Sequence, residues 1–476
     1  MKTNAIYRSL AIAMLAVVID ACAPQLVVKE AGTVIPDQFS GNIDTLNAAN
    51  INWKDYFKDQ HLVALIDTAL FNNQELNIFL QEMEVSRNEV KARKGEILPA
   101  VDLRAGAGVE KSGHYTRNGV VEENHEIKEG KEFPEPLGDF MIGAQATWEV
   151  DVWRKLRNSK KAAYTRYLSS VEGRNLMRTN LIAEIANSYF ELLALDNQLD
   201  IVKQNIEIQE NALKIVRLQK LSGRVTELAV RRFEAEVFDT KSIQFEIQQE
   251  IIETENKINF LLGRYPQSIV RDSDGFVNII PDSIQAGIPS QLLKNRPDIR
   301  QAELELMAAR LDIDVARANF YPTVGISAGI GYQAFNPKYL LNTPTSLTYS
   351  LFGDIVAPLV NRNAIKAIYF NANAKQIQAV YNYEQTVLNA YIEVANQLSN
   401  INNLQNSYDL KLQRVQALNE SIVISNNLFR SARADYMEVM LTQRDALESR
   451  FELIETKMEQ MHAWINVYRA LGGGWQ

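Results

Sequence analysis

The sequence predicts a mainly α-helical protein that carries a membrane β-barrel and is built from a duplicated unit. Three observations lead to this fold class: an internal repeat, very long stretches without helix breakers, and four short runs of alternating apolar and polar residues. The chain has 476 residues and a formal charge of −8. The length exceeds that of one ordinary domain, and the acidic balance argues against a nucleic-acid partner.

The internal repeat is visible as short segments that recur at two fixed spacings. Glu184–Asn187 recurs as Glu393–Asn396 and Leu262-Gly263 as Leu471-Gly472, both at one spacing, whereas Asn72–Leu76 recurs as Asn295–Ile299 and Pro99 as Pro322, both at a slightly longer one. The spacing therefore shortens between Pro99 and Glu184. We expect the difference to lie in a loop, with 333–345 in the second copy shorter than its counterpart at 111–138.

Long helices are predicted in both copies because glycine and proline are nearly absent. The whole stretch between Pro358 and Gly472 contains neither, and the stretch from Arg154 to Ser222 is broken only by Gly173. Each stretch is too long for one globular helix, so breaks are expected at 222–226 and 431–435. Each copy should hold two long antiparallel coiled-coil helices of about 65 residues, on the order of 100 Å long.

Four runs of about ten residues alternate at period two, which predicts half-buried strands. They lie at about 100–110, 139–152, 323–333 and 346–357. This is the length of a tilted strand that crosses a bilayer. Four strands cannot close a barrel, so protomers must share one. Two chains would supply eight strands and three would supply twelve; the Gly, Ser, Thr and Gln of the polar sets favour the wider, open twelve-stranded form. The alternative is a soluble β-sandwich on a helical stalk.

The N-terminus is a targeting segment with a short apolar region after Lys2 and Arg8. Cys22 follows Ala21 at the end of this region and is the only cysteine of the chain. A lone exported cysteine cannot form an internal disulfide. The position resembles a bacterial lipoprotein processing site, and we predict that Cys22 is lipidated. The alternative is ordinary signal cleavage nearby, with Cys22 a spectator thiol and Asp20 an atypical neighbour.

Over essentially the whole mature chain, these features resemble the TolC/OprM outer-membrane efflux family, and the lipoprotein-like start resembles its lipidated branch. The segments that carry the resemblance are Trp53 with Tyr56-Phe57, Leu98-Pro99, Trp148–Trp153, Arg296–Ile299, Phe320–Pro322 and the ending Leu471–Trp475. One departure is Arg154-Lys155, where many members have a glycine.

The resemblance implies a homotrimer with a twelve-stranded outer-membrane barrel that continues into a twelve-helix periplasmic tunnel. It also implies a periplasmic adaptor and an inner-membrane pump as partners, with outer-membrane lipid around the barrel. The expected organisation is a signal peptide at 1–21, a lipidated segment at 22–60, repeat 1 at 61–263, a linker at 264–291 and repeat 2 at 292–476.

The breaks between the long helices are the candidate functional tips. For adaptor contact we single out Gly223, Thr226, Ala432 and Asp435, which lie at matched turns of the two copies; the alternative is that they only form the turns. For the tunnel gate, Asp435 and Glu438 can share a helix face, and the family's tip motif favours Glu438 as the acidic constriction. Arg433 would tether the closed tip. These residues would otherwise be solvated faces of an exposed turn.

The sequence shows no pattern of enzyme chemistry. Its four histidines, His61, His114, His125 and His462, do not stand at metal-ligand spacing. We predict a non-enzyme without cofactor or metal. Three functions remain open: an outer-membrane channel of an RND-type efflux system, a protein-secretion channel on the same fold, and a non-conducting coiled-coil surface protein. The lipoprotein-like start and the Arg-Pro-Asp-Ile segment favour the first.

Overall fold

The computed structural model describes residues 23–32, 35–39, 47–280, 285–431 and 433–475. The helices are α1 (Trp53–Tyr56), α2 (Gln60–Asn72), α3 (Gln74–Gly95), α4 (Arg117–Asn124), α5 (Lys155–Leu221), α6 (Glu227–Leu261), α7 (Leu292–Asn295), α8 (Pro297–Ala318), α9 (Asn363–Arg430) and α10 (Tyr436–Ala470). The strands are β1 (Ala100–Glu110), β2 (Glu126–Lys128), β3 (Lys131–Glu132), β4 (Leu137–Val150), β5 (Thr323–Ala334) and β6 (Leu347–Val356). No helix among the described residues has both the length and the apolar character needed to span a bilayer.

The chain divides into two compact units. Among the described residues, one comprises 23–30, 84–168 and 304–381 and holds the strands. The other comprises 31–83, 169–303 and 382–476 and holds the ends of the long helices where they turn.

The main sheet is antiparallel, with strand order β1-β4-β5-β6. β4 begins and ends slightly before the predicted run of 139–152; its first residue, Leu137, pairs with Glu110 of β1. The strand ends before Asp151, whose side chain accepts hydrogen bonds from backbone N–H groups in the first turn of α5, Leu156 at 3.0 Å and Arg157 at 2.9 Å. The β2–β3 hairpin and α4 lie in the loop between β1 and β4, where the sequence patterns predicted no regular structure.

The strand register confirms where the two copies differ in length. Ala100 pairs with Thr147 in the β1–β4 hairpin, and Thr323 pairs with Val356 in the β5–β6 hairpin. Thr323 follows Ala100 at the longer of the two repeat spacings, and Val356 follows Thr147 at the shorter one. The two hairpins therefore share one register, and the difference in length falls entirely in the connecting loops.

Each copy contains a long helix and a shorter return helix. α5 has 67 residues and α9 has 68, whereas α6 and α10 have 35 each. The expectation of two equally long helices per copy was right for the first helix and wrong for the second. Each return helix runs antiparallel to the long helix before it, and ion pairs such as Arg217–Glu234 at 2.7 Å and Arg414–Glu452 at 2.8 Å link the two.

Each return helix ends beside a glycine that no other residue type could replace. Gly263 has φ +66° and Gly472 has φ +89°, in the left-handed region. A Cβ would lie 2.6 Å from the Asn72 carbonyl oxygen in the first case and 2.4 Å from that of Asn295 in the second. The contact is thus repeated in both copies, and any other residue would strain the backbone and clash.

Candidate functional sites: the sheet, the helix tips and the N-terminal segment

One face of the sheet is apolar on all four strands. The register brings together Val101, Leu103, Ala105, Ala107 and Val109 of β1, Phe140 to Val150 at even positions of β4, Val324 to Ala334 at even positions of β5, and Leu347 to Ile355 at odd positions of β6. Several of these side chains are exposed, including Leu103 at 88%, Tyr349 at 82% and Leu351 at 77%. An exposed apolar surface of this kind marks a contact with another protein or with lipid.

The opposite face is polar and carries every charged residue of the four strands. The charged residues are Asp102, Arg104, Glu110, Asp139, Glu149 and Asp354. Between them lie mostly small residues, with Met141 and Phe352 as the large exceptions, and the surface is concave, forming an open cavity of about 440 Å³. Gly143 and Gly331 face each other there, and a Cβ on either would come within 2.7 Å of the neighbouring strand. The concave side is therefore the polar side.

Aromatic side chains mark the end of the sheet where β5 begins. Trp153 stacks on Tyr321 with ring centroids 4.8 Å apart, and its indole N–H donates to the Pro322 carbonyl at 2.7 Å. The indole N–H of Trp148 donates to the Ile97 carbonyl at 2.9 Å. Tryptophan and tyrosine with one apolar and one hydrogen-bonded end are typical of a membrane–water boundary.

The first tip joins α5 to α6. Gly223 has φ +73°, and the N–H of Arg224 donates to the Gln219 carbonyl at 3.0 Å, which closes the end of α5. Thr226 begins the return helix, with its hydroxyl accepting from the Ala229 N–H at 3.4 Å. Gly223 is exposed and Thr226 lies beside it at the start of the return helix, as a contact surface requires.

The first tip is also held by ion pairs. Glu227 pairs with Lys220 and, at 2.9 Å, with Arg231, which also bonds Glu234 at 2.8 Å. The hydrogen bond from Lys220 holds the pKa of the Glu227 carboxyl below its usual range.

The second tip joins α9 to α10 and differs in its charges. Asp435 is the N-cap residue of α10, and its carboxylate accepts a hydrogen bond from the Tyr436 N–H at 2.6 Å. The Glu438 N–H donates to the Asp435 carbonyl at 3.2 Å, so the two acids lie one turn apart. Within the described part of the chain, the Arg433 guanidinium makes no hydrogen bond or ion pair. Ala432 lies outside the described residues.

The Arg-Pro-Asp-Ile segment forms a buried ionic cluster whose role the sequence did not reveal. The Arg296 guanidinium is 11% exposed and contacts Asp298 at 2.7 Å, Glu393 at 2.7 Å and the Ala470 carbonyl at 2.8 Å. Arg469 bonds the other oxygen of Glu393 at 2.9 Å. Burial disfavours the charge on Arg296, but the hydrogen bonds to Asp298 and Glu393 outweigh it and raise its pKa. The cluster fixes the start of α8 to the end of α10.

The residues after Cys22 pack close to the strand ends. Ala23 and Leu26 contact a buried cluster that contains Phe320, just before β5, and Tyr369, near the start of α9. The Lys29 carbonyl then accepts a hydrogen bond from Gln376 at 2.7 Å. Cys22 itself, like the whole predicted signal peptide, lies outside the described residues.

The histidines form no catalytic or metal constellation in the described residues. Among these residues no cluster of three or more His, Cys, Asp or Glu side chains could hold a metal ion. His114 lies 3.4 Å from Glu135 on the exposed loop. His462 is a structural residue, since its Nε2–H donates to the Asn187 carbonyl at 3.1 Å and burial lowers its pKa.

A sheet with one apolar and one polar face, combined with long helical hairpins, defines a class of outer-membrane channel proteins. The family model for the outer membrane efflux protein matches residues 65–264 and 288–473, and the chain belongs to that family. The resemblance inferred from the sequence is thereby confirmed. The family is one of efflux proteins rather than of enzymes.

Known relatives and solved structures match this chain over almost its full length. The chain is 28% identical over 450 residues to the cation efflux system protein CusC of Escherichia coli O6:H1, with 93% of each chain covered. It is 26% identical over 432 residues to the solvent efflux pump outer membrane protein SrpC of Pseudomonas putida, covering 89% of this chain and 87% of the relative. A crystal structure of CusC matches with a TM-score of 0.81 at 25% identity, covering 95% of this chain and 99% of that chain. The outer-membrane channel OprN shares the fold, with a TM-score of 0.83 at 23% identity over 96% and 99% of the two chains.

Proposed function

We propose that this chain is the outer-membrane channel of a tripartite, RND-type efflux system and passively conducts drugs or other small molecules from the periplasm to the exterior. The observation that carries the proposal is the sorting of the sheet into one exposed apolar face and one concave face that holds every strand charge. Alternation of this kind suits lipid on the convex side and water on the other.

The working assembly is a homotrimer with a shared twelve-stranded barrel and a twelve-helix periplasmic tunnel. Four strands leave two unpaired edges, which only closure removes. Eight strands enclose an interior that side chains fill, whereas the small residues of the concave face suit the wider ring. A protein that stays monomeric and monodisperse in mild detergent would contradict this assembly.

The partners are a periplasmic adaptor, docked at the helix tips, and an inner-membrane pump. Gly223 and Thr226, with Ala432 and Asp435 at the matched positions of copy two, form the contact surface. The relatives are named for different cargoes, a cation in one case and solvents in another. We therefore assign selection of the cargo to the pump and treat the tunnel as a conduit.

The periplasmic end of the tunnel is closed by rings of Asp435 and Glu438, with Arg433 tethering the closed tip. Threefold symmetry sets three copies of each carboxylate around one axis, and such a ring favours cations and is neutralised by them. Single-channel recording tests this: Glu438→Ala or Asp435→Ala should reduce cation selectivity and block by divalent ions. If both variants behave as wild type, the gate lies elsewhere.

The proposal for the sheet is tested by one arginine placed on either face of β4. Ala144 lies on the apolar face and its neighbour Gln145 on the polar face. Arginine facing the bilayer midplane costs about 2–4 kcal/mol. Ala144→Arg should therefore reduce the amount of protein in the outer membrane several-fold, whereas Gln145→Arg should insert normally and lower the conductance in planar bilayers.

The arginine pair also tests one alternative function, and a gene deletion tests the other. Equal insertion of both variants would contradict a lipid-facing sheet and favour the coiled-coil surface protein. A conducting channel whose deletion leaves drug susceptibility unchanged but stops export of a protein would instead indicate a secretion channel.

A further inference from the structure

A run of basic residues without any acid lies directly after β4. Residues 152–171 contain six basic residues and no acidic one, although the whole chain has a formal charge of −8. The basic residues are Arg154, Lys155, Arg157, Lys160, Lys161 and Arg166. Most of them lie just before α5 or in its first two turns, where the helix dipole disfavours positive charge. The stability of the helix therefore does not explain this concentration of charge.

Three of the six cations are neutralised within the chain, and three are not. The ion pairs are Lys155 with Glu149 at 2.6 Å, Arg157 with Asp151 at 3.2 Å, and Arg166 with Asp312. In the part of the chain that the structure describes, the side chains of Arg154, Lys160 and Lys161 form no ion pair or hydrogen bond. Three positive charges therefore remain available to an anion from outside the chain.

The second copy builds the equivalent helix without these three cations. At the spacing that relates β4 to β6, the counterparts of Arg154, Lys160 and Lys161 are Asn363, Tyr369 and Phe370. The helix is no shorter for this difference, since α9 has 68 residues and α5 has 67. The three cations are thus dispensable for forming the helix, which points to a contact outside the chain.

The three cations lie where the sheet gives way to the helices. β4 and β6 both end opposite the start of β5, so α5 and α9 begin at the same level. Arg154 directly follows Trp153, whose ring marks this end of the sheet. In copy two, Tyr369, the counterpart of Lys160, packs in the buried cluster that the residues after Cys22 contact. Under the proposed function, this level is the membrane–water boundary, where lipid headgroups lie.

The exposed side of this part of α5 points away from the concave face of the sheet. Lys155 reaches back to Glu149, which lies on that face. Tyr164 follows Lys155 by nine residues (164 − 155), about two and a half turns, and so lies on the opposite side of the helix. Lys161 is exposed one turn before Tyr164, which is exposed as well. The available charge therefore lies on the side that the proposed function assigns to lipid.

We propose that Arg154, Lys160 and Lys161 bind the phosphate groups of anionic phospholipids in the leaflet of the outer membrane that faces the periplasm. The inference rests on the proposed function, which sets the sheet in that membrane, and adds a lipid partner of stated charge. The backbone N–H groups at the start of α5 already donate to Asp151, so the side chains alone hold the phosphate. Guanidinium and ammonium groups donate charge-assisted hydrogen bonds to phosphate oxygens. Each cation near an anionic surface favours binding roughly fivefold.

The full-length protein in lipid nanodiscs tests the site. Discs of phosphatidylcholine alone are compared with discs that also contain phosphatidylglycerol, whose headgroup has a net negative charge. For the wild type, phosphatidylglycerol should raise the thermal midpoint of helix loss and should be enriched several-fold among the lipids that stay bound in native mass spectra. Lys160→Gln with Lys161→Gln should lose most of both effects, whereas Lys160→Arg with Lys161→Arg should keep them.

The matched control is Lys203→Gln with Lys214→Gln. It removes the same charge from exposed lysines of α5 that lie on the order of 60 Å or more further along the helix, and it should behave as the wild type. An equal loss in the control would show that the lipid preference follows net charge, which would overturn the site. Absence of any preference for phosphatidylglycerol in the wild type would overturn it as well.

Two further measurements separate the remaining sources of each result. Inorganic phosphate added to the phosphatidylcholine discs should not reproduce the rise in midpoint; if it does, the three cations hold a free phosphate ion and the lipid assignment is wrong. Planar bilayers of phosphatidylcholine separate this inference from the proposed function. Wild-type protein that conducts but shows no lipid preference contradicts only the inference, whereas wild-type protein that neither inserts nor conducts contradicts the proposed function.

Discussion

At the scale of single residues, the turn from β4 into α5 shows what the departure from the family pattern means. Arg154 has φ +60°, a left-handed conformation that glycine adopts freely and that costs other residues roughly 1–2 kcal/mol. The turn is nevertheless kept, because the buried Asp151 carboxylate accepts two backbone N–H groups and the Arg157 Nε–H at 3.2 Å. The corresponding turn from β6 into α9 uses Asn361, φ +56°, a residue type that tolerates this region.

Replacing Arg154 by glycine should therefore stabilise the protein, by about 1 kcal/mol after the entropic cost of glycine. The measurement is the midpoint of helix loss on heating in detergent, recorded at a fixed scan rate. Asn361→Gly is the matched control and should shift the midpoint less. A lower midpoint for Arg154→Gly would show that the arginine side chain makes a contact worth more than the strain.

His462 gives the helical unit a pH dependence of known sign. Burial lowers its pKa in the folded chain below the unfolded value near 6.5. Above that pH the histidine is neutral in both states and does not make the stability depend on pH. As the pH falls below it, the unfolded chain takes up a proton that the folded chain resists, and stability is lost. In His462→Gln the thermal midpoint should fall less between pH 7.5 and pH 5.5, values spanning about one unit either side of 6.5; equal falls would assign the acid sensitivity to other groups.

At the scale of elements, the sequence predicted the features that a periodic pattern of apolar and polar residues determines. The four strands were found because apolar and polar residues alternate, clearly in β1, β4 and β5 and more weakly in β6, where Phe352 interrupts the pattern. The register then sorts Val101 or Ile330 to one face and Arg104 or Gln145 to the other. The 35-residue length of α6 and α10 was missed although the breaks at 222–226 and 431–435, together with Gly263 and Gly472, already bound both helices in the sequence. What the sequence does not show is that each of these glycines meets the backbone carbonyl of a distant segment. Such a contact between segments leaves no local pattern. The same holds for Arg296, whose partners lie 97 and 174 residues away.

At the first tip, two substitutions distinguish whether Gly223 only forms the turn or also contacts a partner. Any side chain at Gly223 strains its backbone, φ +73°, but a Cβ there has no atom within 4 Å. Gly223→Ala adds the strain alone, and Gly223→Trp adds the same strain with a bulky group on the exposed surface. If the tip contacts an adaptor, Trp should abolish drug resistance and adaptor crosslinking while Ala reduces them slightly, with outer-membrane amounts unchanged. Equal effects of Ala and Trp would reduce Gly223 to a turn former.

At the scale of the whole molecule, the proposed anchors are a shared barrel and a lipid on Cys22. The sheet exposes its apolar face over four strands, a large surface to bury in lipid. An acyl chain contributes about 0.8 kcal/mol per buried CH₂, so one chain alone gives only reversible membrane binding. The position of Ala23 and Leu26 beside Phe320, next to the first residues of β5, suits an acyl chain that enters the same leaflet as the strand ends.

Because the barrel would hold the protein in the membrane by itself, Cys22→Ser should remove the lipid and leave the channel. Growth with labelled palmitate should label the wild-type chain and not the variant. The variant should still fractionate with the outer membrane and retain most drug resistance, since four strands per subunit bury far more apolar surface than acyl chains do. Equal label in both proteins would refute lipidation at Cys22. Loss of the unlabelled variant from the outer membrane would show instead that the lipid directs targeting or assembly, and that the sheet inserts only after the lipid has brought it to the membrane.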